Sequence, residues 1–111
     1  MLAVEIEPAV STGRRRSLRE PVSLDARIGR GGLDRALCRI TDLSLHGARL
    51  QTYSALQRGS TIWLTLPVVG VRAAAIVWGD DFLAGCQFLA PLSDEEFETL
   101  LDLDETLRRE W

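Results

Sequence analysis

Arginine supplies the first candidate chemistry. Arg14, Arg15, Arg16 and Arg19 crowd one short stretch, and Arg15-Arg16-Ser17-Leu18-Arg19 spells R-x-x-x-R. A guanidinium fork bonds a phosphate through two N–H groups, bonds the O6 and N7 edge of a guanine, or stacks on a purine plane. Two forks four residues apart on a flexible segment can reach one ligand from different sides. Further on, Asp42-Leu43-Ser44-Leu45-His46-Gly47 spells D-x-S-x-x-G. The Asp42 carboxylate can accept from guanine N1–H and N2–H2 or hold an arginine fork, and the Ser44 hydroxyl donates or accepts. Gly47 permits positive φ and lets a ligand or a neighbouring strand come close to the backbone. Each motif also has a bland reading. Taken alone, the arginine run is a solvated basic surface. The second motif alone is an Asx or Ser turn between two strands, with no ligand.

The stretches around these motifs alternate with period two, which predicts strands. Val22 to Ile28 is the first, with Val22, Leu24, Ala26 and Ile28 on one face. Gly29-Arg30-Gly31-Gly32 is a hairpin-type turn signal. Ala36 to Leu43 follows, where Leu37, Arg39 and Thr41 alternate with Cys38, Ile40 and Asp42. After Gly47, Ala48, Leu50 and Thr52 share a face. Thr61 to Leu66 points Ile62, Leu64 and Leu66 inward and Trp63 the other way, where it is expected to pack under the helix or arm. Val71 to Trp78 and Phe82 to Leu89 complete the set, separated by Gly79-Asp80-Asp81. Short strands at this spacing, punctuated by glycine and proline, argue a β-barrel or sandwich. From Pro91 the period changes. Ser93 and Glu96 form a capping box, acids fill the first turn and Arg108-Arg109 the last, and the helix is expected over about 94–109. Phe97, Leu100, Leu101, Leu103 and Leu107 make its apolar face. Residues 1–13 show no sustained period and read as a flexible N-terminal arm.

Composition narrows the function classes. The chain has 111 residues, 46% hydrophobic and 26% charged, the profile of one ordinary globular domain. No run of 18 apolar residues predicts a membrane span. The first ten residues carry Glu5 and Glu7 without a basic stretch, unlike a secretory signal, so a cytoplasmic location is expected. All 13 basic residues are arginine, which excludes Schiff-base or P-loop lysine chemistry. Net charge is −3 but uneven: residues 1–60 carry a net +4 and residues 61–111 a net −7. The positive excess lies with the two motifs, and suits a small anion better than a long polyanion. A nucleic-acid-binding barrel is therefore disfavoured. Cys38, Cys86 and the single histidine, His46, do not make a metal set; the cysteines read as reduced core thiols. One histidine and no lysine leave few general bases, so no enzyme is expected.

In this order, with β-rich sequence between and after them, the two motifs resemble those of the PilZ domain family, bacterial receptors for cyclic di-GMP. The resemblance runs from about Arg14 to about Leu107 and takes in Ala75-Ile76-Val77-Trp78 and Gly85-Cys86-Gln87-Phe88, read as core positions. It implies a mainly β fold, a six-stranded antiparallel PilZ-type β-barrel with a C-terminal α-helix packed against it, the domain occupying 14–111. It implies ligand contacts from Arg14, Arg15, Arg19, Asp42, Ser44 and Gly47, no cofactor and no metal. An arginine at position 14 resembles the family members that hold two cyclic di-GMP molecules per chain. The implied role is a receptor or adaptor that changes shape on binding and so regulates an unidentified protein partner, in motility, exopolysaccharide secretion or a similar process. The alternative is a PilZ-like protein-interaction module that binds no nucleotide; members of that kind typically lack one or both motifs, and here both are whole.

Overall fold

The computed structural model describes residues 19–30 and 35–110. The expected arm 1–13, Arg14, Arg15, Gly31, Gly32 and Trp111 lie outside the described residues. Glycine and proline cut the remaining chain into alternating runs, and each run forms a strand: β1 (Glu20–Gly29), β2 (Arg35–Leu43), β3 (Gly47–Gln51), β4 (Thr61–Leu66), β5 (Gly70–Gly79) and β6 (Leu83–Phe88). They close into an antiparallel barrel in the order β1-β2-β3-β6-β5-β4. β1 and β4 close it through three pairs, Arg27 with Thr65, Ile28 with Leu64 and Gly29 with Trp63. Inward residues of every strand meet in one core, with Ile40, Leu43, Leu50, Leu64 and Ala74 fully buried.

A helix, α1 (Asp94–Arg109), follows β6. Ser93 caps it: its hydroxyl accepts from the Glu96 N–H at 3.0 Å, and the Glu96 carboxylate accepts from the Ser93 N–H at 3.0 Å. That backbone bond, with Arg72 of β5 alongside, holds the Glu96 carboxyl below its ordinary value. The buried face of α1 is Phe97, Leu100, Leu101 and Asp104, which corrects the sequence expectation. Leu107 is exposed and Leu103 only half-buried, while a carboxylate takes the inner position. Asp104 is tolerated there because it is paired. Its Oδ1 accepts from the Ser23 N–H at 2.8 Å, and Arg108 bonds its Oδ2.

Three β-bulges interrupt the barrel. One lies in β1 between Pro21 and Leu24, one in β2 between Ile40 and Asp42, and one in β5 between Ile76 and Trp78. Each adds a residue that the neighbouring strand does not match, so the inside–outside alternation restarts. Strict alternation would have put Asp42 on the inner face with Cys38 and Ile40, and Trp78 on the inner face with Ala74 and Ile76. The bulges turn both outward. Trp63 does not take the covered position expected for it: it stays 42% exposed on β4, opposite Ala73 and Gly29, because Ile62 and Leu64 hold the inward positions on either side.

Two of the tightest packing points lie between β3, β6 and β5. A Cβ on Gly47 would fall 2.2 Å from the Cys86 carbonyl oxygen of β6, and a Cβ on Gly85 would fall 2.1 Å from the Trp78 indole Nε1. Gly47 is not among the residues with positive φ; its requirement is the close approach of the strands.

Gly47→Ala should therefore destabilise the fold by about 2–3 kcal/mol, because a main-chain carbonyl cannot rotate away as a side chain would. Urea denaturation reads this as a lowered midpoint; an unchanged midpoint would mean that β3 and β6 are further apart. The thiols give a second prediction. Burial pushes Cys38 up to about 12 and Cys86 up to about 11. The folded state holds these protons more tightly than the unfolded state, so their contribution is intact below the ordinary thiol pKa and is lost as pH rises from about 9 towards 11–12. A thiol reagent at pH 8 should leave both cysteines unlabelled in native protein and label both after unfolding.

Candidate functional site

Register brings Arg19, the end of the first motif, beside the second motif. In the β1–β2 ladder Glu20 pairs with Leu43 and Pro21 with Asp42. One step further towards the N-terminus, Arg19 leads into β1 beside the Ser44 turn. Arg19 is exposed. Arg14 and Arg15 lie outside the described residues, so the structure fixes the end of the arginine motif and the whole of the second one.

The second motif is a rigid turn between β2 and β3. The Ser44 N–H donates to the Gly47 carbonyl at 2.9 Å. The Ser44 hydroxyl accepts from the His46 and Gly47 N–H groups at 3.2 and 3.1 Å and lies 3.3 Å from the Gly47 carbonyl. The later chain ties the turn down: Phe88 N–H donates to the His46 carbonyl and Leu92 N–H to the Leu45 carbonyl, both at 2.8 Å. Ser44 and Gly47 thus have structural work inside the turn, as the bland reading of the motif expects, and remain half-exposed at the same time. His46 is exposed.

Next to the turn, one outward row crosses four strands. Asp42 on β2 pairs with Arg49 on β3, Arg49 with Gly85 on β6, and Gly85 with Trp78 on β5. The Arg49 guanidinium stands 3.7 Å from the Asp42 carboxylate and 5.8 Å from the centre of the Trp78 ring. Trp78 is 41% exposed, and its indole covers Gly85, where any side chain would collide with it. A flat aromatic, a cation and an anion thus share one solvent-facing strip beside Arg19 and Ser44. Such a strip offers a stacking surface together with both hydrogen-bond polarities, the combination suited to a nucleobase.

Asp42, singled out from the sequence, lies in this row beside Arg49 and Trp78, which the sequence did not single out as site residues, and Ser44 and Gly47 form the adjoining turn. Trp78, read as a core position from the family resemblance, stands instead on the outer face; the β5 bulge is the cause. Arg49 carried no motif signal. Among the described residues, no cluster of three His, Cys, Asp or Glu side chains is arranged to hold a metal ion, and no helix is long and apolar enough to cross a membrane.

Comparison with known proteins bears on the fold and the family. No curated protein matches the chain at a significant level. Among solved structures, the PilZ domain with c-di-GMP of YcgR from Escherichia coli aligns with a TM-score of 0.54 at 20% identity, covering 87% of this chain and 93% of that one. At that identity the likeness speaks for the fold. The family model for the PilZ domain matches residues 13–103, a span that takes in the arginine motif, the turn, all six strands and most of α1, and on that match the chain belongs to the PilZ domain family.

Proposed function

We propose that this chain is a receptor for cyclic di-GMP and acts as a regulatory adaptor rather than an enzyme. The observation that carries the reading is convergence. Arg19 leads into β1 beside the Ser44 turn, and the row Asp42, Arg49 and Trp78 continues outward from the same point. In this reading Arg14, Arg15 and Arg19 supply forks for the two phosphates and the guanine edges, and Asp42 takes a guanine N1–H and N2–H2. Ser44 and Gly47 shape the turn and leave backbone accessible to the ligand. The related YcgR domain is described with c-di-GMP, which supports the same ligand class here.

Binding would order the arginine segment over the nucleotide and change the surface offered to a protein partner, a switch by ordering. Ordering of this kind offsets about 2–5 kcal/mol of the gross interaction, so micromolar affinity is expected. The site of action is the bacterial cytoplasm, on a target in motility, exopolysaccharide secretion or a similar output. A second reading, a protein-interaction module without a nucleotide, draws on the structural work already done by Ser44 and Gly47. Isothermal titration with cyclic di-GMP, with GTP and cyclic di-AMP as controls, separates the two: heat of binding for cyclic di-GMP is expected, and its absence would leave only the second.

Arg15→Ala and Arg19→Ala should each weaken cyclic di-GMP binding at least tenfold, since each removes charge-assisted bonds of about 1.5–3 kcal/mol. The melting temperature without ligand should barely move. Titrations matching wild type for both variants would put the site elsewhere. Stoichiometry gives the next prediction. A third guanidinium at Arg14 can stack on an outer guanine and help neutralise the four phosphates of a stacked pair of ligands. Two molecules per chain are expected for wild type, moving towards one in Arg14→Leu; one per chain in the saturated wild type would end that claim and leave the receptor reading standing.

A further inference from the structure

The geometry points to Arg49, which belongs to neither motif, as the residue that makes this site choose guanine over adenine, working as a pair with Asp42. The inference rests on the receptor reading above and deepens it.

Arg49 and Asp42 face one another across the β2–β3 ladder at 3.7 Å. That is close enough for attraction and too long for a hydrogen bond. No hydrogen bond joins the side chain of either to another described residue. Three other arginines of the barrel and helix are committed: Arg39 bonds Ser23 and Asp25, Arg72 bonds Glu96, and Arg108 bonds Asp104. Arg49 has no such bond to a described residue, and the Trp78 ring backs its guanidinium on one side. Its side chain is 44% exposed and that of Asp42 21%, so the pair is open to a ligand and partly shielded from solvent.

A slack donor–acceptor pair of this kind matches one purine edge. Guanine presents an acceptor, O6, directly beside a donor, N1–H, with N2–H2 next and N7 on the other flank. Arg49 would donate to O6 and N7, and Asp42 would accept from N1–H and N2–H2. Adenine reverses both groups. Its N6–H2 donor would meet the guanidinium and its N1 acceptor would meet the carboxylate, leaving two buried mismatches. The two bulges matter here because they give the pair its outward aim and its aromatic backing.

The test uses the full chain and titrates cyclic di-GMP and cyclic di-AMP into wild type, Arg49→Met and Arg49→Lys. Methionine keeps the length and apolar stem without donors. Lysine keeps the charge without the fork. The expected result for Arg49→Met is a loss of cyclic di-GMP affinity of about tenfold or more, with much less change for cyclic di-AMP, so the preference between them shrinks by a similar factor. Arg49→Lys should recover part of the affinity through charge and leave the preference reduced. Preference ratios equal to wild type in both variants would overturn the assignment while cyclic di-GMP binding by wild type upheld the receptor. A wild type that binds neither nucleotide would overturn both.

Discussion

Thr41 and Val77 each add one position to a strand that its neighbour does not match, in β2 against β3 and in β5 against β6. The candidate site depends on those two residues. Without the extra position Asp42 would face the core beside Ile40, and Trp78 would face it beside Ile76. A carboxylate in that core would lack a partner, and an indole would overfill a wall built of alanine and glycine. With the bulges, Leu43 takes the inward place after Ile40 and is fully buried, while Asp42 and Trp78 emerge on the outer surface on either side of β3 and β6. The two central strands complete the arrangement by carrying little bulk there: Gly47 lies against a β6 carbonyl and Gly85 lies beneath the indole. Arg49 then fills the space between acid and ring.

The third bulge lies in the β1–β2 ladder, opposite the same Ile40–Asp42 stretch of β2. It frees the Ser23 N–H of β1, which the buried Asp104 of α1 captures at 2.8 Å. Arg39 bonds the Ser23 hydroxyl at 2.9 Å and Asp25 at 3.1 Å. The strand that leads out of the arginine motif is therefore fastened to the helix by a charged network, and the β2–β3 turn is fastened to the segment before that helix through Leu92. One side of the site is thus tied to α1 itself and the other to the segment that leads into it. An apolar residue at position 104 would pack against the barrel but leave the Ser23 N–H unpaired, which explains why a carboxylate occupies the inner face.

Much of this was legible from residues. Alternation in Val22–Ile28 and Thr61–Leu66 set the strands, since period two is enforced wherever one face is buried. The Ser93–Glu96 pair marked the start of α1, and Asp42, Ser44 and Gly47 marked the turn. What escaped has a common cause. A bulge is one unmatched residue, invisible in a pattern that counts every second position, so the outward aim of Trp78 was not legible. Asp104 escaped because an amphipathic pattern assigns charge to solvent, and only the freed N–H of Ser23 reveals its partner. Arg49 escaped because its meaning is cross-strand: Asp42 and Trp78 become its neighbours only when the register is known.

The central claim is that ligand binds on the outer face where Arg19, the Ser44 turn and the Asp42–Arg49–Trp78 row meet. Amide and indole resonances followed by heteronuclear NMR during addition of cyclic di-GMP test it most directly. Trp78 and Trp63 report on different walls, because β5 borders the row whereas β4 lies across the barrel from β3. The account predicts large shifts for the Trp78 indole N–H, for the Asp42–Gly47 and Arg49 amides and for Arg19, with the Trp63 indole nearly unmoved. Shifts concentrated at Trp63 and the β4 wall, with the Trp78 indole unchanged at saturation, would contradict it.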